Sequence, residues 1–277
     1  MSAPPDYNPR MKDPPSSGIA KLFLRYSAPL SGLRRWPLVG PLVGWVSGKI
    51  VPRGTLAWAQ IENGPAKGLW LHLNPRTGSS FIAGGGEPAV QAALSTHLRP
   101  GMVFYDIGSN IGFFSLIAAR LVGPQGRVIA FEADPGVAER LREHIVRNNF
   151  PWITAEERAV WSEPTTVSFA RVDPSTSPDR GLGHVALASS SDTIQVDATS
   201  LDDFTRTAPA PDFLKCDVEG AEVEVFRGAQ RLLTEKRPGI LCEIHSEDNR
   251  RILQEEFERH RYSCTSLDEN HVLALPQ

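Results

Sequence analysis

Cysteine is scarce in this chain, and its spacing excludes the usual structural uses of the residue. Among 277 residues there are three cysteines, Cys216, Cys242 and Cys264, and each lies in or beside a predicted strand. None has the paired spacing of a zinc site, so we interpret all three as buried, reduced thiols. Reduced thiols are typical of a cytoplasmic protein, and we expect neither a disulfide framework nor a thiolate metal site.

The sequence also lacks a long apolar run. Its longest such stretch, residues 36–46, is interrupted by proline and glycine. It is too short for a membrane-spanning helix, which needs about 20 apolar residues. The first eighteen residues are polar and rich in proline, without the apolar segment of a signal peptide. We therefore expect no membrane span and a cytoplasmic location.

A strong excess of charge of either sign is absent as well. The formal net charge of −3 gives no general reason to expect nucleic acid as a partner. Positive charge is concentrated in residues 19–53, which contain no acid and hold six basic residues: Lys21, Arg25, Arg34, Arg35, Lys49 and Arg53. We interpret this segment as an arm that packs on the main domain, or on a second subunit in a homodimer. A lid or a contact with an anionic surface is the alternative.

Composition and apolar periodicity divide the chain into three parts. Residues 1–18 are predicted to be a disordered tail. Residues 19–98 are predicted to form an N-terminal helical and β extension, made of the arm, a small β-element at 55–82 and a helix that begins at Pro88. Residues 99–277 form the main domain, in which the polar stretch 173–192 is predicted to be a substrate loop or disordered.

Strand and helix patterns alternate through the main domain. After a strand that begins at Val103, strands are predicted at 127–132, 153–160, 165–170, 193–196, 211–216 and 240–245, followed by a closing hairpin at 263–267 and 271–275. Helices are predicted at 135–148, 221–233 and 248–260. Such units predict an α/β fold with a mostly parallel sheet covered on both faces, to which the hairpin adds an antiparallel strand.

The first strand of the main domain ends in a glycine turn, Asp106-Ile-Gly-Ser-Asn-Ile-Gly112, that opens a helix. Strand–turn–helix junctions of this kind bind nucleotides. The turn lacks the G-x-G-x-x-G pattern of a dinucleotide site, and Asp106 at its mouth is unsuited to a diphosphate but suited to a cation. Glu132 ends the next strand and can accept hydrogen bonds from both hydroxyls of a ribose. This combination favours S-adenosylmethionine (SAM), which has an amino group, a sulfonium and no phosphate, over the dinucleotide of an NAD-dependent reductase.

Acidic residues follow two strands that are neighbours in the predicted sheet. Asp217 and Glu219 come after one strand, and Glu243 and His245 end the other. If the strands remain extended through these residues, the i, i+2 spacing places both members of each pair on one face, at the edge where open α/β sheets bind ligands. Asp217 and His245 are the main candidates for a general base that takes a proton from an acceptor hydroxyl.

Other roles remain open for the same residues. Glu219 and Glu243 are candidates for orienting the acceptor, and Asp217, Glu219 and Glu243 are candidate ligands of a divalent cation such as Mg²⁺. Glu219 alternatively caps the helix that follows it, and Glu243 and His245 alternatively form a simple strand-end pair. Lys215 alternates with apolar neighbours and is assigned no catalytic role; we expect it to pair with a nearby acid.

The order of these motifs resembles the FkbM-type family of SAM-dependent methyltransferases. The matching pieces are residues 86–88, 99–102, 103–112, 128–135, 200–203, 214–222 and 240–245. The pieces K-x-D-V-E-G-A-E and E-x-H are the most specific, and the resemblance spans roughly residues 60–250. It implies a class I methyltransferase fold, a Rossmann-like seven-stranded sheet whose last strand is antiparallel.

The resemblance also implies which residues hold the cofactor. Four residues of the glycine turn would face the methionine part of SAM: Asp106, Gly108, Ser109 and Asn110. Glu132 would hold the ribose, and Ala133, Ala159 and Val160 would border the adenine. Glu87 is a further candidate for the methionine end.

The leading hypothesis is a SAM-dependent O-methyltransferase that acts on a small polyhydroxylated acceptor, such as a sugar or a secondary metabolite in natural product biosynthesis. An N-methyltransferase acting on an amine or a peptide is the nearest alternative, because a pocket rich in carboxylates would serve it too. A non-catalytic SAM-binding subunit, whose arm recruits a partner, is an alternative of a different class.

Overall fold

The structure is a computed structural model that describes residues 56–74, 78–171, 184–185 and 193–277. The predicted tail (1–18), the basic arm (19–53) and nearly all of the polar stretch 173–192 lie outside the described residues. Within the described part, no helix is both long and apolar enough to cross a membrane.

The described part of the chain alternates strands and helices as follows. Its strands are β1 (Ala57–Gln60), β2 (Trp70–Leu73), β3 (Val103–Ile107), β4 (Arg127–Phe131), β5 (Ile153–Glu156), β6 (Ala159–Val160), β7 (Thr165–Ala170), β8 (His184–Val185), β9 (Thr193–Thr199), β10 (Phe213–Cys216), β11 (Gly239–Glu243), β12 (Tyr262–Ser266) and β13 (His271–Pro276). Its α-helices are α1 (Ser79–Ile82), α2 (Pro88–His97), α3 (Phe113–Val122), α4 (Pro135–Asn148), α5 (Leu201–Phe204), α6 (Glu222–Arg227) and α7 (Glu247–Arg259).

A seven-stranded sheet organises the molecule, with the order β12-β13-β11-β10-β3-β4-β5. The ladders among β11, β10, β3, β4 and β5 are parallel, whereas β13 is antiparallel to both of its neighbours. This confirms the predicted α/β fold with an antiparallel last strand. The sheet places the carboxyl ends of β3, β4, β10 and β11 along one edge.

Alternating residues of the central strand support two separate cores. Phe104 packs on one face with α2, α3 and α4, whereas Tyr105 and Ile107 pack on the other face with α6 and α7. Both faces of the strand are therefore buried, which explains why apolar residues occupy both faces of β3, β4 and β10. The charged residues inside β3 and β10, Asp106 and Lys215, are buried as well. The hairpin β1–β2 and helix α2 contribute to the first of these cores.

The predicted strand at 153–160 is two strands in two sheets. β5 ends at Glu156 in the main sheet, and β6 (Ala159–Val160) pairs with β9 in a second sheet of order β6-β9-β7-β8. A turn in which the amide of Arg158 bonds the carbonyl of Glu156 at 3.0 Å redirects the chain between them. The single-strand prediction was wrong here because the local sequence pattern does not reveal which sheet a strand joins.

The predicted helix at 221–233 is also interrupted. α6 ends at Gly228, where an added Cβ would lie 2.3 Å from the carbonyl oxygen of Trp161. The chain resumes as a π-helical turn at Leu232–Lys236. The carboxylate of Asp202 accepts hydrogen bonds from the amides of Arg231 and Leu232, both at 2.8 Å, and so starts this second segment.

Helix α4 connects the N-terminal hairpin to the glycine turn. Asn148 exchanges hydrogen bonds with the backbone of Trp70, both at 2.8 Å. The buried ring of His144 accepts from the amide of His72 at 2.7 Å through Nε2, and its Nδ1 lies 2.7 Å from the carbonyl of Ile111. Only a neutral imidazole can accept at one nitrogen and donate at the other. Burial lowers the pKa of His144 to about 4, which agrees with that assignment.

We predict that His144 makes stability depend on pH. The folded-state pKa of about 4 lies below the ordinary value of 6.5, so between these values the unfolded state binds the extra proton and the folded state loses stability as pH falls. The full loss is about 3 kcal/mol. Urea unfolding of His144→Gln should show a stability deficit that is largest above pH 6.5 and shrinks towards pH 4. His260→Gln, at the end of α7, is the matched control. Equal pH slopes for the wild type and His144→Gln would contradict the prediction.

Candidate active site

The glycine turn after β3 lies directly against the end of β10. Gly108 has φ +73°, and a Cβ on it would lie 1.8 Å from the carbonyl oxygen of Asp217. No side chain fits that space, and only glycine adopts this φ without strain. Gly112 likewise lets α3 approach α4, since its added Cβ would lie 2.3 Å from Leu141. The turn and Asp217 are therefore in backbone contact.

Asp106 lies completely buried under α3. One of its oxygens accepts a hydrogen bond from Ser115 at 2.5 Å, and the other lies 3.9 Å from the Nζ atom of Lys215. That second oxygen has no hydrogen-bond partner among the described residues. Burial raises the pKa of Asp106, against the opposing effects of Lys215 and Ser115. Its predicted contact with a cationic part of SAM stays a prediction, and the structure adds that Lys215 is a cation already beside it.

Glu132 closes the glycine turn from the neighbouring strand. Its two carboxylate oxygens accept from the amides of Asn110 at 2.8 Å and Asp134 at 2.9 Å. Burial raises the pKa of Glu132 to about 7, because these hydrogen bonds offset only part of the desolvation. A carboxylate has further lone pairs for two ribose hydroxyls. The buried hydroxyl of Ser109 has no partner in the part of the chain that is described, so it too is available to a ligand.

The three residues assigned to the adenine do not share one environment. Ala133 packs beside Ala159 in a small apolar cluster with β7 and β9. Val160 belongs instead to the core under α5 and α6, because successive side chains of β6 point to opposite sides. A contact between adenine and the side chains of Ala133 and Ala159 therefore stays a prediction. The side chain of Val160 packs in a different core. Asn110 has φ 52°, and its Oδ1 atom accepts a hydrogen bond from the amide of Ile111 at 2.7 Å, so its contact with the methionine part of SAM stays a prediction for its side-chain amide nitrogen.

The acidic residues predicted at the ends of β10 and β11 do meet. Nε2 of His245 lies 3.3 Å from Glu219, 3.8 Å from Glu243 and 3.9 Å from Asp217. Asp217 also accepts from the buried Nζ of Lys215 at 3.0 Å, which is the acid partner expected for that lysine. The surrounding positive groups, chiefly Lys215, hold the pKa of Asp217 below its usual value despite burial, so it is a carboxylate at neutral pH.

Glu222 is a member of this cluster that the sequence analysis quoted only as part of a motif. Its fully buried carboxylate lies 2.7 Å from Nδ1 of His245 and accepts from Asn249 at 2.7 Å. The Glu222 hydrogen bond, opposed by burial, raises the pKa of His245 to about 9. Glu219 does not cap α6, which has no side-chain cap. Both nitrogens of His245 therefore face carboxylates, and a charged imidazole has no lone pair with which to take a proton.

A second histidine at the same edge was missed from the sequence. His271 begins β13, and its Nε2 lies 3.4 Å from Glu87 and 3.5 Å from Glu243. Its Nδ1 contacts Asp268 at 2.8 Å. Burial alone would lower the pKa of His271, but the carboxylates of Glu243, Glu87 and Asp268 outweigh it and raise the pKa to about 10. The signal was present in the predicted topology, because an antiparallel strand next to β11 begins at the edge where the parallel strands end.

The arrangement suits a nucleoside with a cationic tail. Carboxylates at Asp106 and Glu132 flank a glycine turn with an unpartnered serine hydroxyl, and the nearby Lys215 is bound by Asp106 and Asp217 instead of being free for a phosphate. The residues therefore fit SAM. A seven-stranded sheet with an antiparallel last strand, a glycine turn after the central strand and a carboxylate after the next define a class I methyltransferase fold.

The chain belongs to the FkbM family of methyltransferases, a SAM-dependent family. The sequence profile of the Methyltransferase FkbM domain matches residues 106–264, which is more than half of the chain. This confirms the resemblance based on the motifs.

Individual relatives match over parts of their length. Methyltransferase 1 from Beauveria bassiana is 27% identical over an alignment of 141 residues, and the match covers 44% of this chain and 56% of that protein. Hexuronic acid methyltransferase AglP from Haloferax volcanii is 29% identical over 163 residues, which are 58% of this chain and 63% of that protein. The chain thus matches less than two thirds of either relative. The crystal structure of Methyltransferase FkbM from Methylobacillus flagellatus KT has a TM-score of 0.46 at 18% identity, covering 71% of this chain and 53% of that one.

We predict that Glu132→Gln weakens S-adenosylhomocysteine binding about 10- to 100-fold, the usual range for hydrogen bonds to a charged group. In the predicted complex, ionised Glu132 would accept from both ribose hydroxyls, and protonation would remove acceptor capacity. Wild-type affinity should therefore rise with pH through about 7, and the variant should lose this dependence. Calorimetry at several pH values measures both effects, with Glu139→Gln on the exposed side of α4 as control. An unchanged affinity in Glu132→Gln would exclude the ribose role.

Proposed function

We propose that the protein transfers the methyl group of SAM to a hydroxyl of a small polyhydroxylated acceptor, such as a sugar or a secondary metabolite. The observation that supports this most is the convergence of Asp217, Glu219 and Glu243 around His245, within 3.9 Å, beside the glycine turn. Carboxylates at that edge can orient a hydroxyl and accept its proton. When bound, SAM supplies a methyl group on a sulfonium, and the bonding electrons return to sulfur as the methyl leaves.

Asp217 is the base in this proposal. Its backbone touches Gly108, so a hydroxyl held by its side chain would lie close to the cofactor turn. Lys215 keeps it ionised and fixes its second oxygen at 3.0 Å, which leaves the first oxygen for the acceptor. The hydroxyl proton passes to this carboxylate as the oxygen forms its bond to the methyl carbon, and then leaves to solvent through the partly exposed side of the cluster.

His245 has a positioning role in this proposal, in place of the second base role considered from the sequence. Glu222 holds Nδ1 at 2.7 Å, and Nε2 lies among three carboxylates that would repel one another without it. Glu219 and Glu243 are then oriented towards the acceptor and available to its other hydroxyls. Mg²⁺ is not part of the proposal at Asp217, Glu219 and Glu243, since the imidazole lies between those three side chains.

The proposed acceptor class depends on the name of a relative and on the capacity of carboxylates to accept hydrogen bonds from hydroxyls. The Haloferax volcanii relative is named a hexuronic acid methyltransferase, that is, an enzyme acting on an acidic sugar. A cluster of carboxylates provides acceptors for several sugar hydroxyls. The same cluster would also attract an ammonium group, so N-methylation of an amine or a peptide is the second candidate. A homodimer through the arm stays a prediction, because residues 19–53 lie outside the described part.

We predict that Asp217→Asn lowers kcat about 100-fold or more, because the amide cannot take the proton, while affinity for S-adenosylhomocysteine stays within about twofold. Methylated products from a panel of hexuronic acids, neutral sugars and amines would be quantified by mass spectrometry, with calorimetry for the cofactor. Asp248→Asn, on the exposed first turn of α7, is the matched control. Full activity in Asp217→Asn, or methylation of the amines alone, would contradict the proposal.

We predict that His245→Gln lowers kcat less than Asp217→Asn does, by about 10-fold, because a neutral amide still bonds Glu222 but no longer balances the carboxylates. The ordering of the two variants is the decisive readout. A larger loss in His245→Gln than in Asp217→Asn would assign the base to the histidine. Slow turnover of every acceptor by the wild type, with unchanged cofactor binding, would favour a non-catalytic subunit.

A further inference from the structure

A second group of potential ligands lies next to the acidic cluster and shares only Glu243 with the residues of the reaction described above. It consists of Glu87 at the start of α2, Glu243 at the end of β11 and His271 at the start of β13. One ligand atom from each lies within 4.8 Å of the others. Three elements that are distant in sequence thus present two carboxylates and one imidazole to the same point.

Two atoms of this group are buried and lack a hydrogen-bond partner in the described ranges. They are Nε2 of His271, whose residue is 6% exposed, and Oε2 of Glu87. An orphaned buried polar atom is costly unless a ligand satisfies it. The two atoms are 3.4 Å apart and face each other, and Oε2 of Glu243 lies 3.5 Å from the same nitrogen. They are therefore aimed at a shared space.

The spacing suits a tetrahedral metal ion. Zinc binds histidine nitrogen and carboxylate oxygen at about 2.0–2.2 Å, and a tetrahedral angle then separates two ligand atoms by about 3.4 Å. The observed separations of 3.4 and 3.5 Å match that value. Octahedral magnesium would bring neighbouring ligands to about 3.0 Å and favours an all-oxygen shell. The mixed imidazole and carboxylate set therefore points to zinc or a similar transition metal.

Asp268 contacts the other ring nitrogen of His271. It lies 2.8 Å from Nδ1 of His271, on the side of the ring opposite Glu87 and Glu243. Metal-binding histidines commonly donate their second ring N–H to a carboxylate, which fixes the tautomer and orients the free nitrogen. Here that arrangement directs Nε2 at the two glutamates, and a divalent cation bound there would displace the proton that Nε2 carries and use its lone pair.

We propose that Glu87, Glu243 and His271 bind one zinc-type divalent cation, with Asp268 as the supporting carboxylate and a water as the fourth ligand. The site does not depend on the proposed methyl transfer. It gives Glu87 a partner other than the methionine end of SAM. Because Oε1 of Glu243 lies 3.8 Å from His245, the ion would also anchor one wall of the acidic cluster.

Metal titration of the full chain tests the proposal. The protein is stripped with a chelator, dialysed and titrated with Zn²⁺ by calorimetry and with Co²⁺ by visible absorption. We expect about one equivalent to bind, with Co²⁺ showing the absorption of a tetrahedral site and no thiolate charge-transfer band. Glu87→Gln and His271→Ala should weaken binding at least about 100-fold, and Asp268→Asn about 10- to 100-fold. His260→Ala is the matched control and should bind like the wild type.

The variants separate this site from its neighbours. Glu87→Gln leaves the fold intact because the residue is partly exposed, and retained S-adenosylhomocysteine affinity in it would support the metal assignment. Normal Zn²⁺ binding in both Glu87→Gln and His271→Ala would overturn the proposal. So would loss of binding in His245→Gln alone, which would place the ion among Asp217, Glu243 and His245. Absence of any binding by the wild type would also refute it.

Discussion

One buried ammonium group connects the two halves of the candidate active site. Lys215 is 2% exposed and lies between Asp217, at 3.0 Å, and Asp106, at 3.9 Å. Those acids lie on neighbouring strands, one below the cofactor turn and the other at the acceptor edge. Removing one partner of a buried ion pair typically costs about 3–5 kcal/mol, because the other charge is left unpaired. The lysine thus keeps Asp217 ionised and holds both aspartates in position, although it contacts neither substrate in the proposed reaction.

The backbone reinforces this connection. Gly108 lies so close to the carbonyl of Asp217 that no Cβ fits between them. The chain can make this contact only where the carboxyl ends of β3 and β10 are adjacent, which the parallel ladder between them ensures. The same geometry that gives the fold its cofactor site therefore fixes the distance between that site and the proposed base. If the glycine turn and the base followed strands that are not adjacent, no backbone contact would fix the distance between them.

Much of this arrangement could be predicted from the sequence, for identifiable physical reasons. Buried parallel strands are continuous apolar runs and helices such as α4 begin with a cap and proline, so their bounds and the order of elements follow from local pattern. The glycine turn and Glu132 could likewise be recognised from the residues next to them in the sequence. The split at residues 156–159 was not predictable in this way, because a change of sheet depends on partners far along the chain. The early end of α6 depends on the contact of Gly228 with Trp161, which is equally remote in sequence.

The residues missed from the sequence share a common feature, which is that their partners are distant. Glu222 contacts His245, and His271 contacts Glu243, through strand ends that are far apart in sequence. For His271 the predicted topology held this signal, whereas Glu222 needed the position of its side chain. The resulting edge holds two histidines that share Glu243, one at each of its oxygens. His245 is a cation whose Nδ1 atom contacts Glu222. Its Nε2 atom faces the other three carboxylates of the cluster. Asp268 contacts the Nδ1 atom of His271 in the same way, and the Nε2 atom of His271 lies 3.4 Å from Glu87 and 3.5 Å from Glu243. Both histidines are therefore paired with carboxylates, and they differ in the proposed divalent cation, which would replace the proton on Nε2 of His271.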